Sequence, residues 1–304
     1  MNLKHSKGIY LALATALISG ISIFVNKFAV DAISPPLVFT AVKNSGVGLI
    51  ILSFILLTGK WQLVKTLKKR QYIWLITIGI IGGSIPFYLF FTGLSTIPAI
   101  NAAMIHKSLV LWVAVLASIF LKEKITKLHI LAILVLFSSN YLVGGFKGFT
   151  FSTGELYILL ATLFWSVETI VAKKILSEVD PDILTGFRMG FGSLVLLAAA
   201  CITTPQSLSG ALHLSLSQWM WMSITMFALL AYVSIWYRAL QVAPAILVTT
   251  ILVASTVVTN VLSAVFVTHA WNTMLTTQSL AMSMGMVLLW FASTSSVQYS
   301  SRST

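Results

Sequence analysis

The sequence predicts an all-α membrane protein with ten transmembrane helices, arranged as two inverted five-helix repeats. Three observations carry that prediction. First, 58% of the 304 residues are hydrophobic and only 9% are charged, too little polar surface to cover a water-soluble domain of this length. Second, the basic residues collect on one side of the apolar segments. Third, the second half of the chain repeats residues of the first at an offset of 145–147.

The apolar segments are about 20 residues long, the length of a bilayer-crossing helix rather than a barrel strand. In chain order they cover approximately 8–30, 36–58, 72–94, 97–121, 127–144, 154–176, 182–203, 218–240, 243–268 and 274–295. The first follows MNLKHSKG without a small-x-small cleavage site, so it reads as a retained helix and not a signal peptide. Only short connections separate the spans, the longest being KWQLVKTLKKRQ at 60–71 and TPQSLSGALHLSLS at 204–217.

The positive-inside rule tests the count. With the amino terminus inside, fourteen of the nineteen Lys and Arg residues fall on the cytoplasmic side, while only Lys27 and Lys147 fall outside. The remaining three, Lys43, Lys107 and Arg188, lie within spans. The formal charge of +12 therefore orients helices and does not mark a nucleic-acid surface. A multi-pass protein of the plasma (inner) membrane with both termini cytoplasmic is expected.

The repeat pairs Leu13-Ala14-Thr15 with Leu160-Ala161-Thr162, Ser19 with Ser166, Pro35 with Pro181, Lys43 with Arg188, and Pro98-Ala99-Ile100 with Pro244-Ala245-Ile246. It divides the chain into units 1–147 and 148–304. Five spans per unit is an odd number, so the second copy is expected upside down relative to the first, the architecture of a carrier that rocks around a midplane site.

Gly20 to Lys27 (GISIFVNK), Pro36 to Lys43 with Phe39, the run GLSTIPAINAAMI at 93–105 and the exit SIFLKEKIT with Glu123 together resemble the drug/metabolite transporter superfamily, specifically its ten-helix EamA-type exporters. The resemblance covers nearly the whole chain. It departs at His269, which stands where the second repeat would carry the counterpart of Glu123, and at Val110, where many members carry proline. It implies a plasma-membrane carrier of small organic metabolites, commonly amino acids, usually moving them outward.

Candidate site residues follow from ionisable groups placed where water is scarce. Lys107 sits within the fourth span, where an ammonium costs about 2.5–3.5 kcal/mol on insertion scales, and its repeat counterpart is Val253. A substrate carboxylate or a buried acid would each compensate it. Glu168 lies two-thirds of the way across the sixth span, with Trp165 three residues earlier on the same face. That pair suits an ammonium group or a coupling proton, and pairing with Lys107 or Arg188 is the structural alternative. Lys43 and Arg188 lie about 10 Å in from opposite faces at 1.5 Å per residue, as a mirrored gate pair or as snorkelling side chains. Trp112 and other deep aromatics are candidates for an apolar wall. His106 adjoins Lys107 but points about 100° away on a helix.

The expected function is secondary transport of an amino acid or related zwitterion or anion, with Lys107 attracting a carboxylate, Glu168 an amine and the aromatics a side chain. The expected partners are the lipid bilayer and a small-molecule substrate, with no nucleic acid, no cofactor and no metal, a proton or no coupling ion, and a monomer or homodimer. No enzyme motif is present: the five histidines are scattered and there is no phosphate-binding glycine loop. The alternatives are a proton-coupled multidrug exporter, which the interior cations oppose, a metabolite uptake carrier, and a non-transporting scaffold.

Overall fold

The computed structural model describes residues 3–33, 35–97, 99–139, 148–269, 271 and 273–300. Pro98, Lys147 and Arg302 lie outside them. Among the described residues all regular structure is helical. The first half contains α1 (Leu3–Ala32), α2 (Pro36–Leu57), the short α3 (Trp61–Lys65), α4 (Lys69–Gly83), α5 (Ile85–Leu94), α6 (Ala99–Lys107), α7 (Leu109–Phe120) and α8 (Lys127–Ser138). The second contains α9 (Thr153–Ile175), α10 (Pro181–Thr203), the short α11 (Pro205–Gly210), α12 (Leu216–Val242), α13 (Ala245–Leu252), α14 (Ser255–Ser263) and α15 (Thr273–Ser300).

Local sequence sets the helix starts. Ser152 with Glu155 and Ser215 with Gln218 form capping boxes before α9 and α12. Asp180 accepts from the Asp182 amide at 2.8 Å, with Pro181 at the first helical position of α10. The outside of the bundle is apolar, with Leu57, Val115, Leu194 and Phe227 exposed, whereas Lys43, Asn44, Glu168 and Arg188 are buried. That inside-out distribution suits a bilayer rather than water.

Eight helical stretches among the described residues are long and apolar enough to cross a membrane, and two shorter apolar helices, Met104–Phe120 and Lys127–Ser138, occupy the fourth and fifth expected spans. Three expected spans are each two helices. The third breaks at Ser84, where Pro86 cannot donate the i→i−4 bond to the Gly82 carbonyl. The fourth breaks at Ser108, where the bonds Ser108 N–H to Ile105 and Leu111 N–H to Ser108 tighten to i→i+3 spacing. The ninth breaks at Val253–Ala254 with the same tightening, Val253 to Thr250 and Thr256 to Val253. The last two breaks fall at repeat-equivalent positions.

The main helix contacts join one half to the other: α1 lies on α12 and α14, α2 and α4 on α10, α5 and α7 on α9, α7 on α13, and α8 on α15. Hydrogen bonds fix which ends meet. Lys60, just beyond α2, lies 2.9 Å from Asp180 and 2.5 Å from Asp182 at the start of α10. The Glu123 carboxylate, just beyond α7, accepts from the Ala245 and Ile246 amides that open α13, at 2.7 and 3.0 Å. Gln218 in the first turn of α12 donates to the Ala32 carbonyl that closes α1, at 2.8 Å. Each of these helices therefore meets its partner end to start.

Candidate functional site

The centre of the bundle is organised by a carbonyl that the break in the third span sets free. With no N–H at Pro86, the Gly82 oxygen takes two side-chain donors instead: Trp165 Nε1 from α9 at 3.1 Å and Arg188 Nη2 from α10 at 3.2 Å. The approach is close enough to require small residues. A Cβ on Gly82 would run into the Glu168 side chain and come within 3.3 Å of Arg188 Nε, and one on Gly192 would lie 2.5 Å from the Gly83 backbone.

Arg188 is 4% exposed and Glu168 1% exposed. Tyr237 on α12 stands between them, donating to Glu168 Oε1 at 2.5 Å while its ring centroid lies 5.6 Å from the guanidinium carbon. The carboxylate and the guanidinium form no direct ion pair. Arg188 Nε and Nη1 are buried with no hydrogen-bond partner among the described residues, an arrangement that costs the full desolvation of each donor.

Lys107 is the last residue of α6 and is 5% exposed. Its ammonium donates to Ser255 Oγ, the first residue of α14, at 2.6 Å, so it bridges the two mirrored helix breaks. A cavity of about 10 Å³ lies against Lys107, His106, Thr249 and Val253, room for about one water molecule. Beside it, His106 Nδ1 is buried and unpartnered among the described residues.

Lys43 is 2% exposed. Its ammonium donates to Asn26 Oδ1 at 3.0 Å and sits 4.4 and 4.7 Å from the ring centroids of Phe39 and Phe91. Neither Lys43 nor Arg188 therefore reaches a headgroup layer by snorkelling; both point inward. Phe91 and Tyr237, the rings over Lys43 and Arg188, are themselves 146 residues apart.

An aromatic cluster joins these groups. Phe91 stacks with Phe87 at 6.4 Å, Phe87 and Phe90 meet Trp165 at 5.4 and 5.5 Å, and Trp165 meets His106 at 5.0 Å. Arg188 lies 5.9 Å from the Phe87 centroid. The structure thus gathers Lys43, Lys107, Trp165, Glu168 and Arg188 around one wall. It leaves Trp112 out: that indole is 39% exposed and donates to Ser108 Oγ at 3.1 Å on the outer face. Tyr237, Phe87 and Ser255 join the site with no mark in the sequence, while His106, expected to point away from Lys107, shares a small cavity with it. Asn101 lies apart from this wall and donates to Glu155 and the Gly148 carbonyl near the start of α9. No group of three or more His, Cys, Asp or Glu that would hold a metal is found among the described residues.

A profile of the EamA-like transporter family matches residues 6–145 and again 152–292. Curated relatives include an uncharacterized transporter, YyaM, from Bacillus subtilis (strain 168), 27% identical over 216 residues that cover 68% of this chain and 69% of the relative. An uncharacterized transporter from Methanothermobacter thermautotrophicus is 28% identical over 137 residues, 43% of this chain and 40% of the relative. A crystal structure of a protein superposes with a TM-score of 0.80 at 15% identity, covering 94% of this chain and 97% of the other, a likeness of fold.

Proposed function

We propose, from the premise that this chain belongs to the EamA-like transporter family, that it is a secondary transporter of a small organic metabolite bearing a carboxylate, such as an amino acid or related anion. It works by alternating access between two inverted five-helix repeats that supply ten spans. The meeting of α2 with the start of α10, and of α7 with the start of α13, supports the inverted arrangement, because repeat-equivalent helices then run in opposite directions. In line with the positive-inside rule, we read the end carrying Lys60, Lys122 and Arg238 as cytoplasmic, with both termini inside a plasma membrane and export as the direction.

One observation carries the substrate reading. Arg188 is buried beside Trp165 with two nitrogens unpartnered among the described residues. A carboxylate is the group that a guanidinium with free donors recognises best. Lys107 at the crossing of the broken helices is a second cation for the same chemistry. The aromatic wall between them takes the remainder of the cargo.

The test is an untargeted comparison of metabolites inside and outside cells expressing the chain or its Arg188→Gln variant, with membrane levels of the two matched. Carboxylated metabolites are expected to accumulate outside the cells with the unaltered chain and not with the variant. Identical profiles in the two cultures would overturn the reading.

A further inference from the structure

We infer that the cargo is a small dianion whose two acidic groups sit at opposite ends of a short organic spacer, a dicarboxylate rather than a zwitterion. This rests on the transporter reading above and sharpens its substrate class.

The argument is one of charge and placement. Among the described residues, three cations, Lys43, Lys107 and Arg188, are buried around the aromatic wall, with a single acid, Glu168, beside them. That acid is already engaged by Tyr237 at 2.5 Å, with Arg188 close by, so it is not free to take an ammonium group. The hydrogen-bond and ring partners of each cation are neutral: Asn26 and two phenyl rings for Lys43, Ser255 for Lys107, and for Arg188 the Gly82 carbonyl with the Phe87 and Tyr237 rings, Glu168 being the one nearby charge that offsets any of the three. An uncompensated interior charge costs several kcal/mol, and a cargo carrying two negative charges is the occupant that balances the excess.

The positions separate the two heads. Lys43 is saturated by its amide and its two rings, so it contributes field rather than a docking point. Arg188 has unpartnered nitrogens, and Lys107 lies next to the unpartnered His106 Nδ1. Arg188 shares the Gly82 carbonyl with Trp165, Trp165 meets His106 at 5.0 Å, and His106 shares a small cavity with Lys107, so a chain of contacts through these two rings links the cations. A molecule reaching both places an acid at each end and its spacer against the rings. A phosphate monoester, with both charges on one head, reaches only one of them.

The experiment is counterflow in proteoliposomes containing the full chain and preloaded with unlabelled succinate, alanine, glycerol 3-phosphate or acetate, each tested with its own labelled form. Succinate is expected to exchange at least tenfold faster than the other three. Lys107→Gln and Arg188→Gln are each expected to cut succinate exchange at least tenfold, and Lys107→Arg, which keeps the charge, to retain more than Lys107→Gln. Alanine exchanging as fast as succinate would overturn the dianion while leaving a carrier in place. Glycerol 3-phosphate matching succinate would overturn the two separated heads. Absence of exchange with all four, in a chain that remains monodisperse, would overturn the dicarboxylate cargo, and identical metabolite profiles in the cell experiment above would overturn the transporter reading itself. The substrate panel on the unaltered chain decides the question even if a variant fails to fold.

Discussion

Gly82 shows how one residue can set a site. Its lack of a side chain admits the Glu168 methylene and Arg188 Nε, and its carbonyl holds both Trp165 and Arg188 because Pro86 makes no claim on it. Pro86→Ala restores an amide that competes for that oxygen. Each membrane-interior hydrogen bond is worth about 0.6 kcal/mol on average, so stability should hold while the orientation of two site side chains is lost. The expected outcome is exchange reduced at least tenfold with an unchanged or raised melting temperature in detergent. Normal exchange would remove Gly82 from the site. Gly82→Ala, by contrast, should lower the melting temperature, since overpacking costs about 1–3 kcal/mol. At this scale the charged members of the site were legible from the sequence, because an ionisable residue in an apolar run is conspicuous. Tyr237 and Phe91 were not, since an aromatic in an aromatic-rich span carries no mark of what it faces. Trp112 was equally conspicuous and points outward, because composition alone does not give a helix its rotation.

Among the helices, the instructive elements are those that break. The break at Ser84 is readable from Pro86, whereas those at Ser108 and Val253 contain neither proline nor glycine and arise from i→i+3 turns that no residue type demands. The spans were therefore legible as apolar lengths, and their division was not. The same limit applies to helix ends that are capped from a distance. Glu123 closes the amide row of α13 from the other half of the chain, while its repeat counterpart His269 is exposed, with a backbone φ of 49°. A carboxylate that both accepts two orphan amides and faces the positive end of a helix contributes about 1–2 kcal/mol. Glu123→Ala should accordingly lower the melting temperature by several degrees, and His269→Ala should leave it unchanged. Equal shifts in a side-by-side thermal scan would show that the two halves are capped alike after all.

Taken as a whole, the molecule is fastened unequally at its two ends. All four ion pairs among the described residues lie at one end: Lys60 with Asp180 and Asp182, Arg238 with Asp182, and Arg70 with Glu178. Three of them tie the first half to the second. The other end carries an open apolar groove of about 430 Å³ lined by Val42, Leu197, Cys201, Leu208 and Trp219. Under the proposed alternating access the fastened end has to separate, and the ion pairs would then bias the carrier toward the state in which that end is closed. Asp182 is the shared member, its side chain 3% exposed between two cations, whereas Arg70 and Glu178 are largely in solvent, which screens their pair. Burial lowers the pKa of the Lys60 ammonium, but hydrogen bonds to Asp182 and Asp180 outweigh it and the net shift is upward. Its contribution is therefore complete below the ordinary lysine value of about 10.4 and is lost as pH rises through the raised one. Hydrogen bonds from Arg70 and Gln71 hold the Glu178 carboxyl below its usual range, so its contribution is present above about 4.3 and is lost as pH falls through the lowered value. The bias should thus be flat from about pH 5 to about pH 9, within the ordinary values of the two groups, and should weaken beyond both limits. In a Cys201→Ser background, a cysteine in place of the buried Thr185, one turn into α10, reports on it through labelling by a membrane-impermeant maleimide applied from that end. Asp182→Asn should raise the labelling rate about tenfold and Glu178→Gln less than about twofold, because only the first leaves two cations at the seam without their shared anion. A rate unmoved by Asp182→Asn would mean that the seam is held by the apolar packing of α2 and α4 on α10 and that the charges merely decorate it.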